Sequence, residues 1–370
     1  MSKIVFPENI GVTNYGTVRL GKSFIADGND KTSKARIRIQ THAHKDHTDK
    51  WIKNIRPGRA LVTSKPTLAI LSLEYPHVNI NSNIHTLSNS EKILSKDLIQ
   101  DRFLQGRTIE DAEITLFDAN HMVGSSQVFI KNHDTGLSVL YSGDIGWPLE
   151  VIPNADVLVL DATYSRIKTD ENKEWERKDA ISKILTLISS NLATQPIYIY
   201  ARYGVMQEIV EKIIENIDTE INFVASDDII KKTEIIAKFK SSTPINFKQE
   251  EDKYELKNVV HLKEFHKKQN ESLTGLNITI TNFRSQNSSP DRVVDNDYQN
   301  VVIALTNHAS GDEISDYVES VNPKYVITDS FRNSTNAEVL ADEITKKFKI
   351  PAIPSTLSSV WKDWNSGGRI

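Results

Sequence analysis

The chain of 370 residues contains no cysteine. That excludes disulfide staples and thiolate zinc sites, so a transition metal would have to be held by His, Asp or Glu. It also fits a reducing compartment. No stretch approaches the ~18 apolar residues of a spanning helix. The opening MSKIVFPENIGV has no apolar run long enough for a signal peptide. A cytoplasmic protein with no membrane partner is therefore expected. Positive charge is not in excess either: 45 Lys and Arg stand against 49 Asp and Glu, a formal net charge of −4. This argues against loose coating of nucleic acid by a basic surface. It leaves open a nucleic acid held in one groove, where bound cations supply positive charge locally. There is no internal repeat and no long low-complexity tract. At roughly 150 residues per domain, two domains are expected.

The first part reads as short strands and turns. YGTVRLGKSFIADG (15–28) reads as a hairpin, ARIRIQTH (35–42) and RALVTS (59–64) as strands, TDKWIKNI (48–55) and KPTLAILSLEY (65–75) as helices. Strands follow at 113–120, 126–132, 137–144 and 156–164. Near residue 166 the texture changes. An amphipathic helix (171–192) leads into an alternation of buried strands (PIYIYA, INFVAS) and helices (205–217, 227–239), the pattern of a parallel sheet with crossover helices. A lysine-rich stretch (240–258) reads as loop. VVIALTNH (301–308) is a buried strand, followed by helix, strand (KYVITD) and a last helix. The fold class is α/β, with residues 166–300 set between two parts that carry metal-type motifs.

Three of the ten histidines fall within THAHKDHTDKW, residues 41–51. Two apart on an extended segment, His42 and His44 point the same way. Asp46 and His47 follow where the chain turns into a helix and can face the same point. The alternative is a polar helix start capped by Asp46 or Thr48. Imidazole and carboxylate ligands suit zinc. Two adjacent ions could share the four groups, His42 and His44 on one, Asp46 and His47 on the other. Partners are available: His121 in DANHMVGSS and Asp144 in YSGDIG. Taken alone, the first could be a loop residue and the second a turn former. As a ligand, Asp144 could bridge two ions roughly 3.5–4 Å apart, a separation suited to in-line displacement at phosphorus. Asp161 and His308 each end an apolar strand. Asp161 needs a partner, and a hydrogen bond to a histidine would satisfy it and fix that ring's tautomer; each could instead be a buried polar residue satisfied by backbone.

The order HAHKDH, NHMVGS, SGD resembles the metallo-β-lactamase superfamily. LDATYS after SGD, a long insert and then NHAS resemble its β-CASP nuclease branch. DANH and LDATY are similar to the Artemis-like DNA-repair nucleases, NHMVGSSQV to ligase-associated DNA exonucleases, NHASGDEI and NPKYVIT to ribonuclease J. The resemblance covers essentially the whole chain. It implies an αββα sandwich of residues 1–165 and 301–370, a β-CASP cap of residues 166–300, and an active site in the groove between them. It implies one zinc on His42, His44 and His121, and a second ion (zinc, or Mn²⁺ or Mg²⁺) on Asp46, His47 and the bridging Asp144. Asp161 and His308 would be the acidic residue after the core strand and the proton donor or phosphate clamp. Hydrolysis of a phosphodiester is then expected, with Asp46 orienting or deprotonating the attacking water.

RNA-cutting members of that branch carry a further histidine where this chain has Ser330, preceded by Asp329. The Artemis-like members lack it too, so DNA, cut by an exonuclease in repair, is favoured over RNA. Asp329 could replace the ligand or start the turn DSFRNS. Arg202 and Tyr203, at the start of a helix, could meet a phosphate and a base, or be a surface charge and a core ring. Ser310 in NHAS is a further candidate substrate contact. KEFHKKQ (263–269) could touch a strand or be a solvated face. The rival readings are an RNA-processing endo- or 5′-exoribonuclease, a small-molecule metallo-hydrolase, and a non-enzymatic binding subunit.

Overall fold

A computed structural model describes residues 6–28, 34–48, 58–76, 83–100, 104, 106, 108–164, 177–240, 245–249, 258–265, 274–281, 291–293 and 299–361. The chain divides into two compact units, Met1–Thr169 with His308–Ile370, and Asp170–Asn307. Residues 49–55 of the helix expected at 48–55, residues 171–176 of the helix expected at 171–192, and residues 266–269 of KEFHKKQ lie outside the described residues.

The first unit begins with β1 (Ile10–Val12), β2 (Val18–Leu20) and β3 (Phe24–Ala26), which pair antiparallel. β4 (Ile37–Gln40) then adds parallel to β3 and leads into a single helical turn, α1 (Lys45–Thr48). β5 (Ala60–Ser64), α2 (Lys65–Glu74) and β6 (Ile84–Leu87) complete a six-stranded sheet in the order β1 to β6. Ser64 ends β5 and caps α2, its hydroxyl accepting from Thr67 N at 3.2 Å, and proline in the first turn needs no intrahelical donor. After β7 (Lys92–Leu94) and the short α3 (Ser95–Leu98), β8 (Ala112–Asp118), β9 (Ser126–Asn132) and β10 (Ser138–Tyr141) form an antiparallel meander, and β11 (Val157–Leu160) adds parallel to β10.

The second unit holds α4 (Arg177–Asn191), β12 (Ile197–Ala201), α5 (Val205–Asn216), β13 (Asn222–Ala225), α6 (Asp227–Lys240), β14 (Phe247–Gln249), β15 (Val259–Glu264), β16 (Leu276–Thr281), β17 (Asp291–Val293) and β18 (Asn300–Ala304). Its sheet runs β14-β13-β15-β12-β16-β18-β17, parallel except for β17 against β18. Two differences from the sequence reading follow. β18, assigned to the last segment from residue 301, hydrogen-bonds to β16 and belongs to this sheet, so the division falls at 307/308. β14 is a short, half-exposed strand inside the stretch read as loop; three residues are too few for alternation to show.

The chain returns to the first unit through α7 (Asp312–Val321), β19 (Tyr325–Thr328), α8 (Ser334–Phe348) and β20 (Ala352–Pro354). β19 pairs parallel with β11, giving the order β20-β19-β11-β10-β9-β8-β7. Alternate residues do the packing. Ile37, Ile39 and Val62 from one sheet share a core with Ile114, Val128, Val139 and Val157 from the other. On the opposite face of the second sheet, Leu140, Leu158 and Leu160 pack with Ile314, Tyr317 and Val318 of α7 and Leu340 and Ile344 of α8. The protein is thus a mixed α/β chain. No described helix is long and apolar enough to cross a membrane.

One surface carboxylate ties three strand starts together. Asp156 accepts from Ser138 N (2.8 Å) and Ser138 Oγ (2.7 Å) and pairs with Lys324 Nζ (2.9 Å). Partial burial pushes its pKa up, but Lys324 and Ser138 outweigh this and lower it to about 2. A carboxylate depressed in the fold stabilises above its unfolded pKa, ~3.9, and loses that contribution as pH falls toward the folded value. Asp156→Asn should therefore cost about 1–2 kcal/mol at pH 7, discounted for the exposed lysine. Urea denaturation should show the difference from wild type shrinking between about pH 4 and pH 2.

Candidate metal centre

The candidate ligands sit where strands end. His42 and His44 follow β4, His47 lies on α1, His121 follows β8, Asp144 follows β10 and Asp161 follows β11. His121 is fixed by its own loop: Ser125 Oγ accepts from His121 N (3.1 Å) and Met122 N (3.2 Å). Gly124 holds that loop against α2, with φ +87 and its carbonyl accepting from Ser64 Oγ (2.6 Å) and Thr67 Oγ1 (2.9 Å). A Cβ there would come within 2.8 Å of Pro66 Cβ and Thr67 N, so only glycine fits.

His42 Nε2 and His121 Nε2 each lie 3.2 Å from His44 Nδ1, and 3.6 and 3.7 Å from Asp144 Oδ2. All four donor atoms lie within 4.8 Å of one another. A tetrahedral set at metal–ligand distances of ~2.0–2.2 Å has ligand atoms about 3.3–3.6 Å apart. The spacing therefore matches one divalent cation, and the set fits it chemically: three imidazoles and one carboxylate. His42, His121 and Asp144 are buried.

The tautomers also suit ligation, through a residue the sequence reading missed. Asp27, fully buried, accepts from Thr41 N (2.9 Å), Thr41 Oγ1 (2.7 Å), Tyr141 OH (3.1 Å) and His47 Nδ1 (2.7 Å). Because the Thr41 hydroxyl proton goes to Asp27, its oxygen accepts from His42 Nδ1 at 2.9 Å. A proton on Nδ1 leaves Nε2 of the neutral His42 with a lone pair toward Asp144; His47, also held through Nδ1, would offer Nε2 in the same way only once a bound cation displaces its second proton. The His47 Nε2 atom is buried without a hydrogen-bond partner, 3.2 Å from Asp144 Oδ1. Burial and the neighbouring His47 hold His42 well below the usual imidazole range, with Asp144 opposing. Burial and Arg332 also work against protonation of His47, but Asp144, Asp46 and Asp27 outweigh them and lift it to about 10. Burial pushes Asp144 up, yet His47 and His308 keep it ionised, well below its usual value. The cluster is built to attract positive charge.

A protein of Acidianus ambivalens, named as an uncharacterized protein in the lig 3′ region, is 32% identical over 136 residues, covering 35% of this chain and 91% of that protein. The chain belongs to the family of that protein. No family model matches it. A crystal structure of a protein of unknown function from Enterococcus faecalis V583 is similar in fold, with a TM-score of 0.53 over 87% of this chain and 80% of the other, at 14% identity.

Family membership leaves the remaining site residues to their geometry. His308 Nδ1 lies 2.9 Å from Asp161 Oδ2, and its Nε2 3.8 Å from Asp144 Oδ2. Asp161 is itself held by Thr163 N (2.8 Å) and Thr163 Oγ1 (2.6 Å). Burial works against protonating His308, but Asp144 and Asp161 raise its pKa overall. Asp161, Asp144 and His308 form a second compact donor group; Asp27, His42 and His47 form a third. The expected set of Asp46, His47 and Asp144 is not among the donor groups found in the described residues. The Asp46 side chain is 58% exposed, 3.6 Å from His47 Nε2, and accepts from Arg332 Nε at 3.4 Å. Asp329 accepts from Phe331 N (2.8 Å) and from Arg332 Nη1, so it starts the turn and pairs an arginine. Ser330 is buried, its hydroxyl oxygen without a partner. Ser310 opens α7, its N–H donating to Glu313 Oε2 at 3.0 Å. Arg202 belongs to the second unit, exposed and 5.7 Å over the Phe265 ring; Tyr203, half-buried, has Lys232 Nζ 5.4 Å from its ring centre. Arg332 was read only as part of a turn. The only signal in the sequence was an arginine three residues past an expected strand end, close to Asp329.

Proposed function

We propose that the chain is a metal-dependent phosphodiesterase of the β-CASP branch of the metallo-β-lactamase superfamily, cutting nucleic acid, with DNA as its substrate and zinc as its ion. The observation that carries the reading is the four-donor set of His42, His44, His121 and Asp144 beside the Asp161–His308 pair. Asp161 and His308 are 147 positions apart in the chain, with the whole second unit between them. A small-molecule hydrolase of the same superfamily would not need that insertion. Two sheets sharing one core, with α7 and α8 outside, are in keeping with the superfamily's sandwich.

A divalent cation held by the four donors would supply the charge that polarises a phosphoryl oxygen and acidifies an attacking water. The chain's own groups do the rest. Asp27 and Thr41 keep the His42 and His47 tautomers, Asp46 orients the water from the rim, and Asp161 holds His308 so that Nε2 delivers a proton to the leaving oxygen. Ser330, in place of a histidine, favours DNA.

The test is digestion of end-labelled single-stranded DNA and RNA, each with 5′-phosphate or 5′-hydroxyl, beside a thioester, under Zn²⁺, Mn²⁺ or Mg²⁺. DNA cleavage is expected. Cleavage of RNA alone would transfer the assignment to RNA processing, and thioester turnover alone would end the nuclease reading. His308→Ala should lower kcat by roughly 10²–10³-fold, as for loss of a general acid, while the bound metal, counted by mass spectrometry, stays at the wild-type level. Loss of metal in that variant would make His308 a ligand instead.

A further inference from the structure

The second cation position expected beside Asp46 and His47 already has a cation next to it. The Arg332 side chain is 7% exposed. Its guanidinium donates from Nε to Asp46 Oδ2 (3.4 Å), donates from Nη1 to the buried Asp329, and places Nη2 3.1 Å from His47 Nδ1. His47 Nδ1 is also 2.7 Å from Asp27 Oδ2; the carboxylate has no proton to offer, so that nitrogen donates to Asp27 and the guanidinium lies against the ring edge. Four carboxylates surround this region: Asp27, Asp46, Asp144 and Asp329. Asp329, Asp144 and Asp46 all favour the charged arginine, whose pKa stays well above its usual value although burial opposes it. A guanidinium is in any case permanently charged.

We infer that Arg332 takes the place of a second metal ion: the chain holds one divalent cation, on His42, His44, His121 and Asp144, and the Arg332 guanidinium supplies the remaining positive charge to an anionic substrate. Two observations support exclusion of the second ion. Asp46 is pulled to the exposed rim by Arg332 and does not gather with His47 and Asp144 into a compact donor group. An ion bound to Asp46 Oδ2 at ~2.0–2.2 Å would also sit no more than about 5.6 Å from Arg332 Nε, a like-charge contact. The planar fork of arginine suits phosphate oxygens. That last clause rests on the proposed phosphodiesterase reading; the ion count does not.

The experiment is metal counting on the full chain, stripped with a chelator and titrated with Mn²⁺, read by mass spectrometry and by electron paramagnetic resonance. Wild type should take up one Mn²⁺ per chain with a mononuclear spectrum. Arg332→Lys, which keeps the charge, should also hold one. Arg332→Gln combined with Asp329→Asn removes the buried pair together and leaves no uncompensated charge; it should bind a second, weaker ion with a spin-coupled spectrum. Two tightly bound, coupled ions in wild type would overturn the inference. So would a folded double variant, checked by circular dichroism, that stays at one ion. With DNA, the double variant should show a KM at least 10-fold higher at one equivalent of metal and recover as the second ion binds. If wild type cuts no nucleic acid while holding one ion, the nuclease reading fails and the replacement of the second ion by Arg332 stands.

Discussion

The Asp144→Ala protein should purify with little metal and cut nucleic acid at least ~10³-fold more slowly than wild type. Asp144 is the one anion in the four-donor set. Its Oδ2 lies 3.6, 3.7 and 3.8 Å from His42, His121 and His308, and its Oδ1 3.2 Å from His47. Removing it leaves the three imidazoles of the donor set, His42, His44 and His121, with no carboxylate among them to offset a cation. The fold should survive, because the hydrophobic cores on either face of the second sheet are built from other residues. Circular dichroism checks the fold, mass spectrometry the ion, and the labelled-DNA assay the rate. Full turnover by a folded, metal-checked Asp144→Ala protein would remove the site from its assigned role.

The second large effect is expected at Asp27, which touches no proposed substrate or ion. Four donors converge on its carboxylate, and it is fully buried at φ +48. Asparagine tolerates that left-handed backbone and has nearly the same shape, but its amide would turn N–H groups toward N–H and O–H donors. Asp27→Asn should therefore cost about 3 kcal/mol of stability, the scale of leaving buried donors unpaired around a lost charge. It should also weaken metal affinity roughly 10–100-fold, as the outer partners of ligating histidines do. Denaturation with and without chelator separates the two effects. Wild-type affinity in a folded Asp27→Asn protein would mean that the His42 and His47 tautomers are not held through Asp27.

How much of the site could be read from the chain varies residue by residue. His42 and His44 are two apart on an extended segment, so local geometry alone brings their rings together, 4.8 Å between centres. His121 and Asp144 carry no such local information; their place beside His44 and His42 came from motif order and is visible only because β8 and β10 deliver both loops to the same end of the sheets. The apolar strands before Asp161 and His308 showed only that each would be buried and that Asp161 needs a partner; the structure gives that partner as His308, at 2.9 Å. Asp27 was hidden, since ADG at a strand end looks like any turn. Arg332 was hidden for the same reason inside DSFRNS. Among the elements, the long amphipathic helices and buried strands were legible. β14 was not, because three residues are too few to show a pattern; β15 and β16 were passed over although LNITIT of β16 alternates apolar and polar residues.

Composition and local pattern were enough to exclude thiolate metal sites and disulfides, to predict an α/β chain, and to collect the histidines and aspartates with metal chemistry. Those properties depend on residue type and on neighbours a few positions apart. Which carboxylate orients which ring, and which cation stands beside Asp46, depend on contacts between segments more than a hundred or two hundred residues apart: Tyr141 with Asp27, Arg332 with Asp46 and His47. Such contacts are settled by how the two sheets share their core, and no local stretch of chain encodes them.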